Sequence, residues 1–309
     1  MHAGFALPDN INAFFLKVHH DALNNMNRVL ADLAVLKRVI VQNIADNGVA
    51  VLNAADPIVA AMAEKRSKNV TFFAQDKNHP VMATHRARGQ RVVYVENGDL
   101  VCFEREVRQR IPLNQVPITR GGSIGFQVEN VMASVAAAWG CNVDWNAIRS
   151  GLASFRNDAD NAPGRFNVFD YRGATVIADY GHNPDAMLAL VQAVDKIEAK
   201  RRSVVISGAG DRRDEDIRQQ TEILGDAFDD VILYQDQCQR GRADGEVVAL
   251  LRQGLSNARR TTHVEEIRGE FLAIDTALAK LQTGDLCLIL IDQVEEALAH
   301  IAARVAQES

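Results

Sequence analysis

SVVISGAGDRRDEDIRQQTEILGDAFDDVILY, residues 203–234, is the stretch that decides the fold class. SVVIS (203–207) and VILY (231–234) are short apolar runs suited to strands buried on both faces. Between them a polar, glycine-containing turn leads into a helix expected over 215–228. The alternation continues outward in both directions. VILY is followed by a helix over 245–256, and LCLILI (286–291) by a last helix whose Val294, Ala297, Leu298, Ile301 and Val305 form one apolar stripe. Upstream, FNVFDY and ATVIADY flank Arg172-Gly173, which reads as a tight hairpin. A helix over 185–198 then places Met187, Leu190, Val191 and Val194 at helical spacing. Apolar strands alternating with amphipathic helices predict an α/β domain with a mostly parallel sheet covered on both faces.

The first half is less regular. VLADLAVLKRVIVQNIA (29–45) places Val29, Leu33, Leu36, Ile40 and Ile44 on one helical stripe. VAVLN (49–53) reads as a buried strand, and Asp56-Pro57 turns it into a helix over 58–65. Residues 70–115 hold short β-like runs with Asn97-Gly98 as a hairpin signal. A Gly-rich joint, 121–125, leads into an Ala-rich helix over 127–139. Pro163-Gly164 marks the break between the halves.

Composition narrows the classes. At 309 residues the chain has room for two domains of about 150 residues each. It is 47% apolar and carries a net charge of −6. That balance argues against a general nucleic-acid binder, which needs clustered Lys and Arg. Cys102, Cys141, Cys238 and Cys287 are scattered without a CxxC pair, so neither a zinc site nor a disulfide framework is expected. No apolar run approaches the length of a membrane span, and a reducing cytoplasm is the expected location.

Parallel α/β sheets bind ligands at the carboxyl ends of their strands, which directs attention to three loops. The first is DYGHNPD (179–185), where Asp179 can accept from a ribose hydroxyl, Gly181 allows close approach and Asn183 offers an amide to phosphate oxygens. The plainer alternative is a polar loop with Asp185 capping the next helix. The second is SGAGDRRD (207–214), whose Arg212 and Arg213 suit bidentate capture of carboxylate or phosphate. The alternative is a solvated charge run paired with Asp211, Asp214, Glu215 and Asp216. The third, YQDQCQRGRADG (234–245), has the polar density of a recognition loop, although every residue in it could simply face water. None of the twenty glycines is followed by Lys, so the chain contains no G-x-x-x-x-G-K-[ST] phosphate loop.

Taken together, PGRF (163–166), DYGHNPDA (179–186), GDRRDEDI (210–217) and RGRADGE (240–246) form an ordered set. It resembles the Mur-ligase-like part of the cyanophycin synthetases, and the likeness continues upstream through VAVLNAADP (49–57) and GFQVENVMASVAAAW (125–139). The resemblance implies that residues 1–160 are a partial Mur ligase central ATPase domain. Residues 161–309 would be the Rossmann-like C-terminal domain that closes over nucleotide. It implies ATP and Mg²⁺ as cofactors. By the same likeness Asn130 lies against adenine, Arg165 reaches the phosphates, Asp179 binds ribose, and His182 and Asn183 contact the terminal phosphate. Lys37 falls where the family carries a carbamylated lysine that holds a second Mg²⁺, and His20 where it carries a metal-binding histidine. A surface histidine and an ordinary helix lysine stay open as alternatives for those two positions.

The implied reaction is ATP-dependent amide formation, in which an aspartate β-carboxyl of poly-Asp becomes an acyl phosphate and arginine's amine displaces phosphate. A cationic substrate suits an acidic chain. Asp236, Asp244 and Glu246 are candidate arginine readers, with Arg212, Arg213 and Arg240 as further substrate contacts. The expected partners are therefore ATP, arginine, aspartate and the cyanophycin polymer, with no nucleic acid and no membrane. The chain would associate as a homo-oligomer or with the ATP-grasp half that such synthetases carry and this sequence lacks. The missing half implies a truncated product, an internal start or one piece of a split enzyme. A noncatalytic Mur-ligase-like subunit or polymer-binding module, or another Mur-type ligase, remains as an alternative.

Overall fold

The computed structural model describes residues 13–16, 26–65, 69–236 and 239–308. The chain divides into two compact units, Met1–Phe155 and Arg156–Ser309.

The first unit holds β1 (Ala13–Leu16), α1 (Met26–Gln42), β2 (Val49–Asn53), α2 (Pro57–Ala61), β3 (Val70–Asp76), α3 (Pro80–Ala87), β4 (Val92–Glu96), β5 (Asp99–Glu104), β6 (Val107–Pro112), α4 (Gly125–Gly140) and α5 (Trp145–Ser154). Its sheet runs β1-β2-β3-β4-β5-β6, with β1 to β4 parallel and β5 and β6 added as antiparallel neighbours. The two-residue period of a strand splits β2 between two cores. Ala50 and Leu52 pack with Val41 and Ile44 from the α1 side, whereas Val49 and Val51 pack with Val131, Val135 and Ala136 of α4. Each fully buried Val, Leu or Ile contributes about 1.5–3 kcal/mol. Asp56 caps α2 by accepting from the Ile58 and Val59 N–H groups at 2.9 and 3.1 Å.

The second unit holds β7 (Asn167–Tyr171), β8 (Ala174–Asp179), α6 (Pro184–Val194), β9 (Arg202–Ile206), α7 (Asp214–Gly225), β10 (Asp230–Gln235), α8 (Glu246–Gly254), β11 (His263–Arg268), α9 (Glu270–Lys280), β12 (Leu286–Leu290) and α10 (Val294–Glu308). Sheet order is β11-β10-β9-β12-β8-β7; only β7 runs antiparallel to its neighbour. The α/β class, the parallel sheet and the Arg172-Gly173 hairpin (φ 52° and 77°) follow the sequence reading. β12 enters between β8 and β9, so the chain leaves β8, builds outward through β9 to β11, and returns. Helices α9 and α10 cover one face, with Ile274, Leu278, Leu298 and Ile301 against Val176, Val205 and Ile289. Among the described residues no helix is long and apolar enough to cross a membrane.

Several local expectations need correction. Leu36, placed on the apolar stripe of α1, is 70% exposed, whereas Val41 is fully buried. The cap of α6 is Asn183, not Asp185: its Oδ1 accepts from the Ala186 N–H at 2.8 Å, one residue before Pro184 in the first turn. The sequence reading passed over β11 and α9. HVEEIR is a polar strand at the sheet edge, so it carries none of the apolar run that marks β9, β10 and β12.

Candidate functional site

The site sits at the carboxyl edge of the second sheet, where a turn locks onto the end of β8. Gly164 adopts φ 67°, and its N–H donates to Asn167 Oδ1 at 2.8 Å. A Cβ there would lie 3.0 Å from Val294 and 3.3 Å from Tyr180, so only glycine fits without displacing them. Phe166 is buried at φ 56°, a left-handed conformation costly for a bulky residue. The surroundings enforce it: Phe166 N–H donates to Asp179 Oδ2 at 2.8 Å, and Tyr180 N–H to the Gly164 carbonyl at 2.8 Å. This turn sets the exposed Arg165 beside the carboxylate of Asp179. Burial pushes Asp179 up to about 7, against the opposing pull of the Phe166 N–H, the Arg165 charge and the Gly181 N–H.

His182 is the second element of the site. Its side chain is 13% exposed and lies edge-on to Tyr180, with ring centroids 4.0 Å apart. Burial, and then the positive charge of Arg240, hold its imidazole down at about 4, so it is neutral at pH 7. Nε2 is buried without a hydrogen-bond partner, 3.7 Å from Asp292 Oδ1. Asp292 also pairs with Arg240 Nη2 at 3.2 Å, while Arg240 Nη1 reaches Asp211 at 3.3 Å. The loops after β8, β9, β10 and β12 therefore meet around one guanidinium.

Arg242 staples two of those loops together. Its Nε donates to the Gly210 carbonyl at 2.7 Å, one Nη to the Arg212 carbonyl at 2.6 Å, and the guanidinium pairs with Asp214 and Glu246. The approach leaves no space at Gly210, where a Cβ would sit 2.1 Å from the Gln239 carbonyl oxygen. Several sequence candidates are held by these internal contacts. Arg213 forms a bidentate pair with Asp216, Asp244 pairs with Arg268, and Glu246 is bound by Arg242 and the Ala243 N–H. Asp236 and Asp244 line a cavity of about 370 Å³ with Gln235, Gln239, Arg268 and Gly269. Arg212 is exposed and close enough to His182 to influence its charge.

The remaining candidates lie elsewhere. Lys37 is half-buried on α1, and Asn130 on α4 donates from Nδ2 to Gln127 at 3.2 Å; these helices pack on opposite faces of the first sheet. His20 lies outside the described residues. Among the described residues no group of three or more His, Cys, Asp or Glu is placed to hold a metal ion. An anionic group fits the second unit better, because Arg165 and Arg212 enter no ion pair among the described residues and the His182 Nε2 lacks a partner. Asp292 and Arg242 were missed as site residues. The strand-end rule would have found Asp292, which follows LCLILI directly, had it been applied to that fourth loop.

Comparison with known proteins identifies the two domains. Residues 12–138 match the Mur ligase middle domain, and residues 164–290 the Mur ligase glutamate ligase domain. Over 273 residues, 88% of the chain, it is 34% identical to a cyanophycin synthetase of Geminocystis herdmanii, and over 276 residues 32% identical to one from Synechocystis. The chain spans 31% and 32% of the length of those two relatives. Among solved structures, the folylpolyglutamate synthase of Mycobacterium tuberculosis complexed with ADP superimposes with a TM-score of 0.62 at 18% identity, covering 94% of this chain and 61% of that one. With both domain models matched in order, the chain belongs to the Mur ligase family, as a middle domain followed by a glutamate ligase domain similar to those of cyanophycin synthetases.

Proposed function

We propose that the chain serves ATP-dependent amide ligation of the cyanophycin synthetase type, adding arginine to the β-carboxyl of aspartate in a poly-Asp chain. The observation that carries this reading is the meeting of Arg165, Asp179, His182 and Arg240 at the carboxyl edge of the second sheet. Identity to cyanophycin synthetases over 88% of the chain supports the choice of substrate.

Each residue then has a chemical task. Asp179 accepts from a ribose hydroxyl at the end of β8. Arg165 and Arg212 offer guanidinium donors to phosphate oxygens. Asn183 spends its Oδ1 on the helix cap, which leaves Nδ2 as a donor. Activation of the carboxylate as an acyl phosphate, followed by attack of the amine, depends on holding these donors where charge develops. The cavity lined by Asp236 and Asp244 brings two carboxylates to the incoming guanidinium, of which Asp244 would exchange its Arg268 partner for it.

The test is steady-state kinetics in a complete synthetase that carries these residues. Asp179→Ala and Arg165→Ala should each lower ATP-dependent ligation by about 30-fold or more, the loss of one charge-assisted contact worth roughly 2–4 kcal/mol. Wild-type kinetics in both variants would remove the assignment.

A further inference from the structure

The loop after β12 is held from outside the cluster by a buried carboxylate. Glu270 opens α9 immediately after Gly269 and is 2% exposed. Its Oε1 accepts from the Asp292 N–H at 2.8 Å; its Oε2 accepts from the Gln293 N–H at 3.1 Å and from the Gln293 side-chain amide at 3.3 Å. One residue earlier, Ile291 N–H donates to the Asp179 carbonyl at 2.9 Å. The Asp292 carboxylate then stands 3.2 Å from Arg240 Nη2 and 3.7 Å from His182 Nε2.

This is a costly way to hold a loop. Withdrawing a carboxylate from water costs several kcal/mol before its hydrogen bonds are counted, and burial raises the Glu270 carboxyl above its ordinary value. A Ser or Asn side chain would satisfy a single N–H more cheaply. A carboxylate does something a hydroxyl cannot: its two oxygens accept from two consecutive amides at once. That fixes both the position and the rotation of the Asp292 peptide, and therefore the direction in which the Asp292 side chain leaves the loop. The N-terminus of α9 offers the charge a favourable potential.

We propose that Glu270 is a positioning residue of the ligase site, orienting Asp292 and through it Arg240 and His182. The inference rests on reading that cluster as the nucleotide-facing end of the domain. No reacting group touches Glu270 itself. Its effect passes along one path, from its two oxygens to the Asp292 backbone, and from the Asp292 carboxylate to Arg240 and His182. The groups that face His182 along that path and around it are Tyr180, Asp211, Arg212, Arg240 and Asp292.

The test is NMR of the full chain, following the His182 imidazole and the Arg240 guanidinium, with His182→Gln used for assignment. Glu270→Gln keeps the shape of the side chain but turns one acceptor oxygen into an NH₂ that opposes a backbone N–H. It should shift both signals and move the His182 titration midpoint by about 0.5 pH unit or more. In an Asp292→Ala background the same substitution should have no further effect on His182. Gly173→Ala, which strains the β7–β8 hairpin at the opposite end of β8 in the same unit, serves as the control for general loosening and should leave both signals in place. Unmoved signals in Glu270→Gln overturn the proposal, as does a shift that survives in the Asp292→Ala background or is matched by Gly173→Ala. Glu270→Gln carries the test even if Glu270→Ala does not fold. The Asp179→Ala and Arg165→Ala kinetics examine the nucleotide reading separately, so either can fail while the other stands.

Discussion

Asp179 and His182 sit three residues apart, and each is driven toward its neutral form by the same withdrawal from water. The consequences for stability have opposite signs. His182 titrates at about 4 when folded and at its ordinary 6.5 when unfolded, so its contribution is complete above 6.5 and is lost as pH falls to 4. Asp179 titrates at about 7 when folded against an ordinary 3.8, so the folded state keeps a proton that the unfolded state releases. Its contribution is complete below 3.8 and is lost as pH rises through 7. The swing is worth about 3 kcal/mol for His182 and about 4 kcal/mol for Asp179, and in the native protein they largely offset one another. Asp179→Asn should therefore leave a chain whose stability climbs between pH 4 and 6.5, and His182→Gln one whose stability declines across nearly the same range. Urea unfolding at several pH values reads both slopes, and two flat profiles would refute the burial argument. The sequence disclosed both residues because strand ends are where such sheets expose chemistry. It did not disclose Asn183 as the cap in place of Asp185, because both side chains can accept from a helix N-terminus and only the backbone path selects between them.

At the scale of elements, the β4-β5-β6 meander contains two tight turns of the same geometry, only one of which is visible in the sequence. Asn97-Gly98 adopts φ 55° and 79°, as the residue pair predicts. Arg105-Glu106 adopts φ 46° and 73°, positions where side chains are strained, and neither residue signals a turn. The pairing of β5 with β6 from Asp99–Pro112 to Glu104–Val107 imposes that conformation. Substitution at the two turns should therefore have opposite signs. Gly98→Ala should destabilise the chain by about 1 kcal/mol, and Glu106→Gly should stabilise it by about 0.5–1 kcal/mol, the relief of left-handed strain exceeding the added chain entropy. Thermal midpoints of the two variants measure this, and a lower midpoint for Glu106→Gly would show that the turn is unstrained. The same tertiary override explains α1: its periodicity is real, but the sheet receives the Val41 side and leaves Leu36 in water. Strand β11 escaped notice for the converse reason, since an edge strand needs few apolar residues to pair.

For the molecule as a whole, the decisive point is the gap between what the proposed site in the second unit would offer a nucleotide and what phosphoryl transfer requires. On the proposed reading the second unit would supply donors from Arg165, Arg212 and Asn183 and an acceptor from Asp179. Phosphoryl transfer also needs a backbone cradle, a lysine and a metal-binding hydroxyl, which a Gly-x-x-x-x-Gly-Lys-Ser/Thr loop provides. No glycine in the 309 residues precedes a lysine, and among the described residues no metal cage is present. The relatives that share this chain's sequence are about three times as long, which leaves room for such a loop outside the shared region. From these points we expect the 309-residue chain by itself to form no detectable polymer from ATP, aspartate, arginine and primer. Its second sheet should nonetheless fold, because all six strands and the helices on both faces lie within residues 156–309. An amide-ligase assay run beside hydrogen exchange separates the two statements. Protected amides in β8, β9, β10 and β12 with no turnover is the expected result. Turnover by the isolated chain would require a phosphate-binding arrangement built from residues other than those of the familiar loop.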